Sequence, residues 1–296
     1  MLRKLVLPFF MLAAPAAAQE TEIVVTGRGL AQAPGEAVYD TIIIDRAQLT
    51  SSASGRLDEI LKQVPGFQMF RRSDARSANP TSQGATLRAL GGNASSRALL
   101  ILDGVPQTPP FGGWISWPAY DPERLGEVRI TRGGGSGANG PGALAGTIEL
   151  ISAAPDEIAG IGGSIFHGSR DSIDARASAG IPLGVGFLSL SADYGRGDGF
   201  IPVVEEQSGP IDRPSRYEQG SIAIRAVAPV AAGTELQVNG LAFSDERERG
   251  TAFSDIRTKG VDASIRLVGS RWSALAYVQT RDFYNSFASA SGDRTS

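Results

Sequence analysis

From about Gly160 onward, apolar and polar residues alternate one by one, which is the pattern of β-strands with one apolar and one polar face. In the segment SIDARASA, Ile173 and Ala175 fall on one face, whereas Asp174 and Arg176 fall on the other. The segments FLSLSADY and VDASIRLV repeat this order. We predict about seven antiparallel strands here, joined in the manner of successive hairpins.

Two architectures produce such alternation. Strands of about ten residues with apolar side chains outside and polar side chains inside are typical of an outer-membrane β-barrel. The strands of a soluble β-sandwich alternate as well. The polar face here carries Asp, Arg or Ser at nearly every position, which favours the barrel.

The preceding part of the chain, from about Ala37 to Ser152, mixes short strands with one helix. Further strands are predicted at 41–44 and in the segments ATLRAL, RALLILDGVP, LGEVRITRGG and GTIELISA, which are bounded by Gly, Pro or Asp-Gly. The helix lies in RLDEILKQVPGF, and its Pro-Gly step ends it. Its apolar face is formed by residues at i, i+3, i+4 and i+7, namely Leu57, Ile60, Leu61 and Val64.

The N-terminus has the order of a secretory signal peptide. Arg3 and Lys4 precede an apolar run from Leu5 to about Ala14, and Ala16 and Ala18 fit an A-x-A cleavage site. An uncleaved anchor is the alternative, but the apolar run is short for a membrane span. We therefore expect export, and we divide the chain into a signal peptide (1–18), an N-terminal strand with a flexible tether (19–36), the mixed domain (37–152) and the alternating strands (153–296).

Composition narrows the functional classes. The 296 residues include 37 glycines and no cysteine, and aromatic residues make up 7%. High glycine content suits strands and turns, and the lack of cysteine excludes Cys/His zinc sites and thiolate chemistry. The net charge of -3 comes from scattered residues, so nothing indicates a nucleic-acid surface.

No motif predicts catalysis or a cofactor. Gly135, Gly137 and Gly140 have G-x-G-x-x-G spacing, but Pro141 and a strand follow them, where a dinucleotide site needs a helix. The segments VVEEQSG and SDERERG are acidic and read as solvated loop tips, although a calcium site remains an alternative there. We predict neither an enzyme nor a resident cofactor or metal.

The order of these features resembles a TonB-dependent outer-membrane receptor. EIVVTGR resembles the TonB box of that family, a short strand that follows the signal peptide. LDEILKQVPGF, TLRALGGNASSRALLILDGVP and LGEVRITRGGGSGANGPGALAGTIELIS resemble its plug domain in sequence and order. Ala89 stands where the family commonly has glycine. The likeness covers about residues 20–152 well, and the remainder is similar to the first strands of the barrel.

The resemblance implies a function and partners. The TonB box would pair as an added strand with TonB, the inner-membrane energy-coupling partner, while the plug gates a barrel embedded in outer-membrane lipid. The cargo would be a scarce nutrient such as a siderophore or cobalamin. An exported, non-transporting binding protein or adhesin is the alternative. The residues that would pair with TonB are Glu22, Ile23, Val24, Val25 and Thr26.

Two long plug loops, FRRSDARSANPTSQG and QTPPFGGWISWPAYDPER, should face outward in this fold. The first offers Arg71, Arg72 and Arg76 to an anionic ligand. The alternative is that the loop residues only pack the loops against the barrel. The second loop offers aromatic side chains for stacking, namely Phe111, Trp114, Trp117 and Tyr120.

Length leads to one more expectation. A plug-holding barrel has about 22 strands, which needs more than about 300 residues at about ten residues per strand plus turns. Fewer than half of the 296 residues follow Ser152. We therefore expect these strands to be the N-terminal portion of a barrel that does not close by itself.

Overall fold

The structure, a computed structural model, describes residues 27–28, 40–71, 73–88, 94–109, 111–133, 142–158, 160–288 and 294–295. The signal-peptide region, the TonB-box residues Glu22–Thr26, Arg72 and the glycine motif at 135–140 lie outside the described residues. No helix in the described ranges is long and apolar enough to cross a bilayer.

Two short helices and a five-stranded sheet form the first unit, which we call the plug. The sheet order is β1-β6-β7-β4-β5, and β4 runs parallel to β7 while the other pairs are antiparallel. The strands β2 and β3 form a separate small pair. The elements are β1 (Asp40–Asp45), α1 (Arg46–Thr50), α2 (Leu57–Leu61), β2 (Gln68–Met69), β3 (Ala85–Thr86), β4 (Ala98–Leu102), β5 (Val105–Pro106), β6 (Leu125–Arg132) and β7 (Gly146–Ser152).

The predicted helix is confirmed as α2, and its predicted apolar face is buried in the plug core. The helix is shorter than the pattern suggested, since it ends at Leu61 and continues as turns. Within the described residues 85–88 of ATLRAL, the predicted strand is only the two-residue β3, because Arg88 adopts φ 70° and interrupts the extended chain. The sequence pattern missed α1, a five-residue helix whose first turn is capped by Asp45 and Gln48.

Seven long strands form the second sheet, which we call the wall. Each strand pairs antiparallel with its sequence neighbour, so the predicted number and order of strands are confirmed. Among the described residues, β8 and β14 are the two edges and the sheet is not closed. The strands are β8 (Gly160–Gly168), β9 (Ser172–Leu183), β10 (Gly186–Gly197), β11 (Tyr217–Ala231), β12 (Thr234–Glu248), β13 (Asp255–Val268) and β14 (Ser273–Asn285), followed by a small pair, β15 (Phe287–Ala288) and β16 (Arg294–Thr295).

The wall turns its polar face toward the plug. On β13, Asp262 is 8% exposed whereas the adjacent Val261 is 54% exposed, and β11 shows the same contrast between Arg225 and Ile224. The predicted apolar-out, polar-in alternation is therefore confirmed, and a sandwich of two sheets packed through apolar faces is excluded. The inner face is not polar throughout, since Leu241 and Phe243 extend the plug core onto the wall.

Candidate functional site

The wall has two different ends. Turns at 184–185, 232–233 and 269–272 join the strands at one end, which we call the short-turn end. The connections 169–171, 198–216 and 249–254 lie at the other, which we call the long-loop end. Short turns on the periplasmic side and longer loops on the outer side are typical of outer-membrane barrels.

The first plug loop reaches the long-loop end through Arg76. Its guanidinium pairs with the Asp174 carboxylate on β9, and its Nη1 donates to the Tyr217 hydroxyl on β11 at 3.2 Å. The guanidinium also lies 4.9 Å from the centre of the Tyr217 ring. Burial alone would lower the pKa of Arg76, but the hydrogen bond and charge of Asp174 raise it. Arg76 is thus a cation held against the wall.

A group of charged residues fixes the loop that carries Arg76. Arg56 Nη1 donates to Asp74 Oδ1 at 3.1 Å, and Ser77 Oγ donates to Asp74 Oδ2 at 2.7 Å. Although burial opposes it, the bond from Ser77 and the charge of Arg56 lower the pKa of Asp74. On the plug side of the loop, Ala75 N donates to Asp58 Oδ2 at 3.1 Å. Burial raises the pKa of Asp58 above its usual range, and the charge of Arg56 only partly offsets this.

A buried arginine of the wall also contacts the first plug loop. Arg247 on β12 donates to the Ala75 carbonyl and, at 2.8 Å, to the Ala78 carbonyl. Its Nε donates to Asp245 Oδ1 at 2.6 Å, and Gln219 donates to the same oxygen at 2.9 Å. Every strong polar group of this buried pair therefore has a partner, which is the condition for a stable buried ion pair.

The second plug loop divides into an exposed and a buried part. Phe111 is 48% exposed, and its ring lies 5.7 Å from both Trp114 and Phe283 of β14. Trp117 packs edge-on against Phe67 in the plug core at 6.1 Å. Tyr120 is buried and donates to Gln107 Oε1 at 3.0 Å.

The residues predicted to bind ligand therefore occupy different surroundings. Arg71 is exposed and lies 5.5 Å above the Phe70 ring, and Phe111 is exposed as well. Arg76 and Trp114 contact the wall, whereas Trp117 and Tyr120 are buried in the plug. Of this set, Arg76 lines a cavity at the long-loop end, and neither Arg71 nor Phe111 is among the residues that line it.

That cavity, of about 230 Å³, lies between the first plug loop and the long-loop end of the wall. Apart from Arg76, the residues that line this cavity were not predicted from the sequence, and they come from segments far apart along the chain. In the described ranges, no group of three or more histidine or acidic side chains is placed to hold a metal ion. The charged and aromatic side chains that line the cavity are Arg56, Asp74, Arg76, Arg170, Phe200 and Tyr217.

At the short-turn end, the wall holds the chain that follows the predicted TonB box. Gly27 N donates to Glu235 Oε2 at 3.1 Å, and Arg225 donates to the Gly27 carbonyl. Gln237 Nε2 donates to the Arg28 carbonyl at 2.8 Å. Gly27 has φ 68°, and an added Cβ would lie 2.9 Å from Arg225 Nη2, so glycine fits this position for two reasons.

Arg225 also links this segment to the rest of the plug. Its Nη1 donates to the Ala153 carbonyl at 3.1 Å, directly after β7. Its Nε lies 3.9 Å from the Asp103 carboxylate, in the turn between β4 and β5. One buried side chain therefore contacts the N-terminal segment, the end of the plug sheet and a plug turn.

A small mixed domain packed against the polar face of an antiparallel sheet of long neighbouring strands defines a class of plugged barrel proteins. Residues 35–147 match the TonB-dependent Receptor Plug Domain. The chain is 26% identical over 179 residues to the vitamin B12 transporter BtuB of Vibrio vulnificus (strain CMCP6), a match that covers 60% of this chain and 28% of the transporter.

Solved structures show the same fold. The unliganded ferric citrate transporter FecA superposes with a TM-score of 0.64 at 14% identity, over 90% of this chain and 44% of that one. The ferric yersiniabactin uptake receptor FyuA of Yersinia pestis superposes with a TM-score of 0.62 at 17% identity, over 86% of this chain and 42% of that one. The copper transporter OprC superposes with a TM-score of 0.61 at 21% identity, over 88% of this chain and 39% of that one.

Residues 35–147 thus belong to the TonB-dependent Receptor Plug Domain family, and the strands that follow have the fold of the corresponding part of these structures. The chain spans 28% of the length of the curated relative and 39% to 44% of the lengths of these three structures.

Proposed function

We propose that this chain belongs to an outer-membrane receptor that takes up a scarce nutrient, such as a siderophore or cobalamin, with energy supplied through TonB. The plug gates the barrel, and residues 22–26 form the TonB box. The chain performs no covalent chemistry. The observation that carries the proposal is that one wall contacts a cavity of about 230 Å³ at its long-loop end and the segment after the TonB box at its short-turn end.

The names of the relatives support the nutrient class. The curated relative is a vitamin B12 transporter, and the similar structures include ferric citrate, ferric yersiniabactin and copper transport proteins. The outward face of the wall supports contact with outer-membrane lipid, since Ile222, Val261 and Val278 are all more than half exposed on it.

The grip on Gly27 and Arg28 supports a role in coupling. The three wall side chains that hold this segment bind mainly to its backbone. A strand drawn from this position can pair with a partner by β-augmentation, which also uses main-chain groups. Force on the strand is then transmitted to Arg225, and through it to the plug at Ala153.

The test compares two proline variants of the receptor in living cells. Val24→Pro removes a ladder donor and fixes φ in the strand that would pair with TonB, so we expect uptake to be lost while ligand binding is retained. Ala31→Pro, in the tether beside an existing Pro34, is the matched control and should leave uptake intact.

Candidate ligands for this test are a ferric catecholate, a ferric hydroxamate, ferric citrate and cobalamin. Normal uptake by the Val24→Pro receptor would refute the coupling role. Binding of a ligand with no uptake by any variant, the unaltered receptor included, would favour the non-transporting binding protein instead.

A further inference from the structure

A smaller cavity, of about 50 Å³, also lies between the plug and the wall. Arg56 and Arg76 line both this cavity and the larger one at the long-loop end, so the two adjoin. A polar space of this size has room for one or a few water molecules. Four carboxylates from four segments line it, namely Asp58 and Asp121 of the plug and Asp174 and Asp193 of the wall.

The charges around this cavity are unequally matched. Asp193 on β10 accepts a hydrogen bond from the Ser221 hydroxyl, but among the described residues no basic side chain forms an ion pair with it. The charges of Arg124 and Arg176 act on Asp193 only from a greater distance. The other three carboxylates each have an arginine partner, in the pairs Arg56–Asp58, Arg76–Asp174 and Arg176–Asp121.

Asp121 is the plug carboxylate whose negative charge acts on Asp193 across the interface. It is 8% exposed, and it caps the short 3₁₀ helix Pro122–Arg124 by accepting from Glu123 N at 3.1 Å. Burial raises the pKa of Asp121 above its usual range, and the charge of Arg176 and the bond from Glu123 N only partly offset this. Asp121 therefore binds a proton more readily than an exposed aspartate does.

A tryptophan in the lining of the same cavity has an unused donor. Trp117 is 2% exposed, and its Nε1 makes no hydrogen bond to the described residues. A buried indole N–H usually has a partner. A water molecule in the cavity can accept from Trp117 and donate to a carboxylate, which connects the acids of the plug and of the wall through hydrogen bonds.

We infer that Asp121 and Asp193 bind one proton between them, through water in this cavity, and that this proton strengthens the contact of the plug with the wall. When both carboxylates are ionised, their repulsion opposes the contact. Uptake of one proton from solution leaves one negative charge, and a hydrogen bond replaces the repulsion. The inference goes beyond the proposed function, since it involves neither the cargo nor TonB.

Other charged groups around the two aspartates bear on the direction of the pH dependence. Burial also raises the pKa of Asp58, which therefore acts in the same direction. The contact is strongest in acid, and it weakens as the pH rises from the ordinary value of 3.8 through the raised pKa of Asp121. Besides the ion-paired residues named above, the groups that face the two aspartates are Arg46 of α1 and Tyr120, Glu123 and Arg124 of the second plug loop.

The experiment measures hydrogen exchange of the unliganded receptor in lipid nanodiscs, at values between about pH 4.5 and about pH 7.5, corrected for the intrinsic exchange rate. The reporters are the amides of Ala119, Tyr120 and Arg124, whose hydrogen bonds close the turns on both sides of Asp121. We expect their protection to be about threefold to tenfold higher at the acid end, because one unit of pKa shift corresponds to about a tenfold change in an equilibrium.

Three variants assign the effect. Asp193→Asn removes the unpaired charge, so protection at neutral pH should equal the value in acid and the pH dependence should vanish. Ser221→Ala removes a donor that favours the ionised carboxylate, so the higher protection should persist to higher pH. Glu218→Gln is the matched control and should leave the pH profile unchanged. Glu218 is an exposed wall carboxylate on the outward face, where it accepts from the Tyr194 hydroxyl at 3.0 Å.

Protection that does not change with pH in the unaltered receptor would overturn the inference. Retained pH dependence in Asp193→Asn would overturn it as well, because another acid, such as Asp58, would then be the group that titrates. If Asp193→Asn does not assemble, Ser221→Ala decides, and an unchanged pH profile in that variant counts against the inference. Neither cargo nor TonB takes part, so these outcomes leave the proposed function standing, and normal uptake by Val24→Pro would count against that function alone.

Discussion

The wall holds the plug by different chemistry at its two ends. At the long-loop end, ion pairs such as that between Arg76 and Asp174 accompany the bonds from Arg247 to plug carbonyls, and they border an open cavity. At the short-turn end, Arg225, Glu235 and Gln237 hold the backbone of Gly27 and Arg28. Ion pairs between plug and wall are thus prominent at the first end, whereas the N-terminal segment at the second end is held through its main chain.

This difference suits two tasks. A charged ligand can compete for, or add to, ion pairs at the long-loop end, since each pair there depends on specific side chains. Main-chain contacts at the short-turn end can be exchanged for the main-chain contacts of a partner strand. The proposed function would thus place selectivity and coupling at opposite ends of one sheet.

The largest effect should come from Arg247, which supports the first plug loop. Arg247→Met leaves Asp245 charged and buried with Gln219 as its remaining partner, so opening of residues 75–78 should become easier by about 3–5 kcal/mol. Hydrogen exchange of the loop amides measures this change. In the double variant Asp245→Leu with Arg247→Met, the free energy of opening this loop should fall by less, because no buried charge is left unpaired. Equal losses in the single and double variants would refute this account.

A smaller effect should follow at the short-turn end. Arg225→Leu leaves the Gly27 and Ala153 carbonyls without this donor, at a cost of about 2–3 kcal/mol. Limited proteolysis at residues 27–28 should accelerate, while exchange of residues 75–78 stays unchanged. Gln237→Leu, which removes one bond to the Arg28 carbonyl, should cost only about 1 kcal/mol. If Arg225→Leu and Gln237→Leu accelerate exchange of residues 75–78 as much as they accelerate proteolysis at residues 27–28, the two ends are not separate units.

The smallest effect is a pH dependence confined to the first plug loop. The pKa of Asp74 lies below its ordinary value of 3.8, so its ionised form stabilises the fold above pH 3.8 and this contribution is lost as the pH falls below that value. Asp74→Asn should therefore weaken the loop by about 1 kcal/mol at pH 7, and the difference from the unaltered protein should vanish in acid.

Asp58 provides the control of opposite sign. Its raised pKa means that its ionised form costs stability at neutral pH, and the cost fades as the pH falls toward that pKa. Asp58→Asn should cause no loss at pH 7, since an amide oxygen can still accept from Ala75 N. A similar loss of loop stability at pH 7 in Asp74→Asn and Asp58→Asn would contradict the opposite directions of the two pKa shifts. Hydrogen exchange of the loop at several pH values measures both.

Local periodicity explains what the sequence could predict. The helix at Leu57–Leu61 and the seven wall strands follow from apolar spacing, which short segments carry by themselves. The helix α1 was missed because five residues hold little periodic information, although its Asp45–Gln48 capping box was readable.

The candidate site was less readable because it is assembled from distant segments. Arg56 and Tyr217 line one cavity although 160 other residues lie between them in the sequence. Exposed aromatic residues in a loop also look the same in sequence as buried ones, and Trp117 proved to be a core residue.

The central claim is that the cavity at the long-loop end and the backbone grip at the short-turn end belong to one uptake device. The sequence contains no cysteine, so Thr26→Cys offers a single site for a spin label beside Gly27. Electron paramagnetic resonance of the labelled receptor then reports label mobility with and without a gallium(III) tris-catecholate, which is diamagnetic. We predict that the chelate increases the mobile fraction, and that Arg225→Leu increases it without the chelate. Unchanged mobility in the chelate-saturated receptor would contradict the account.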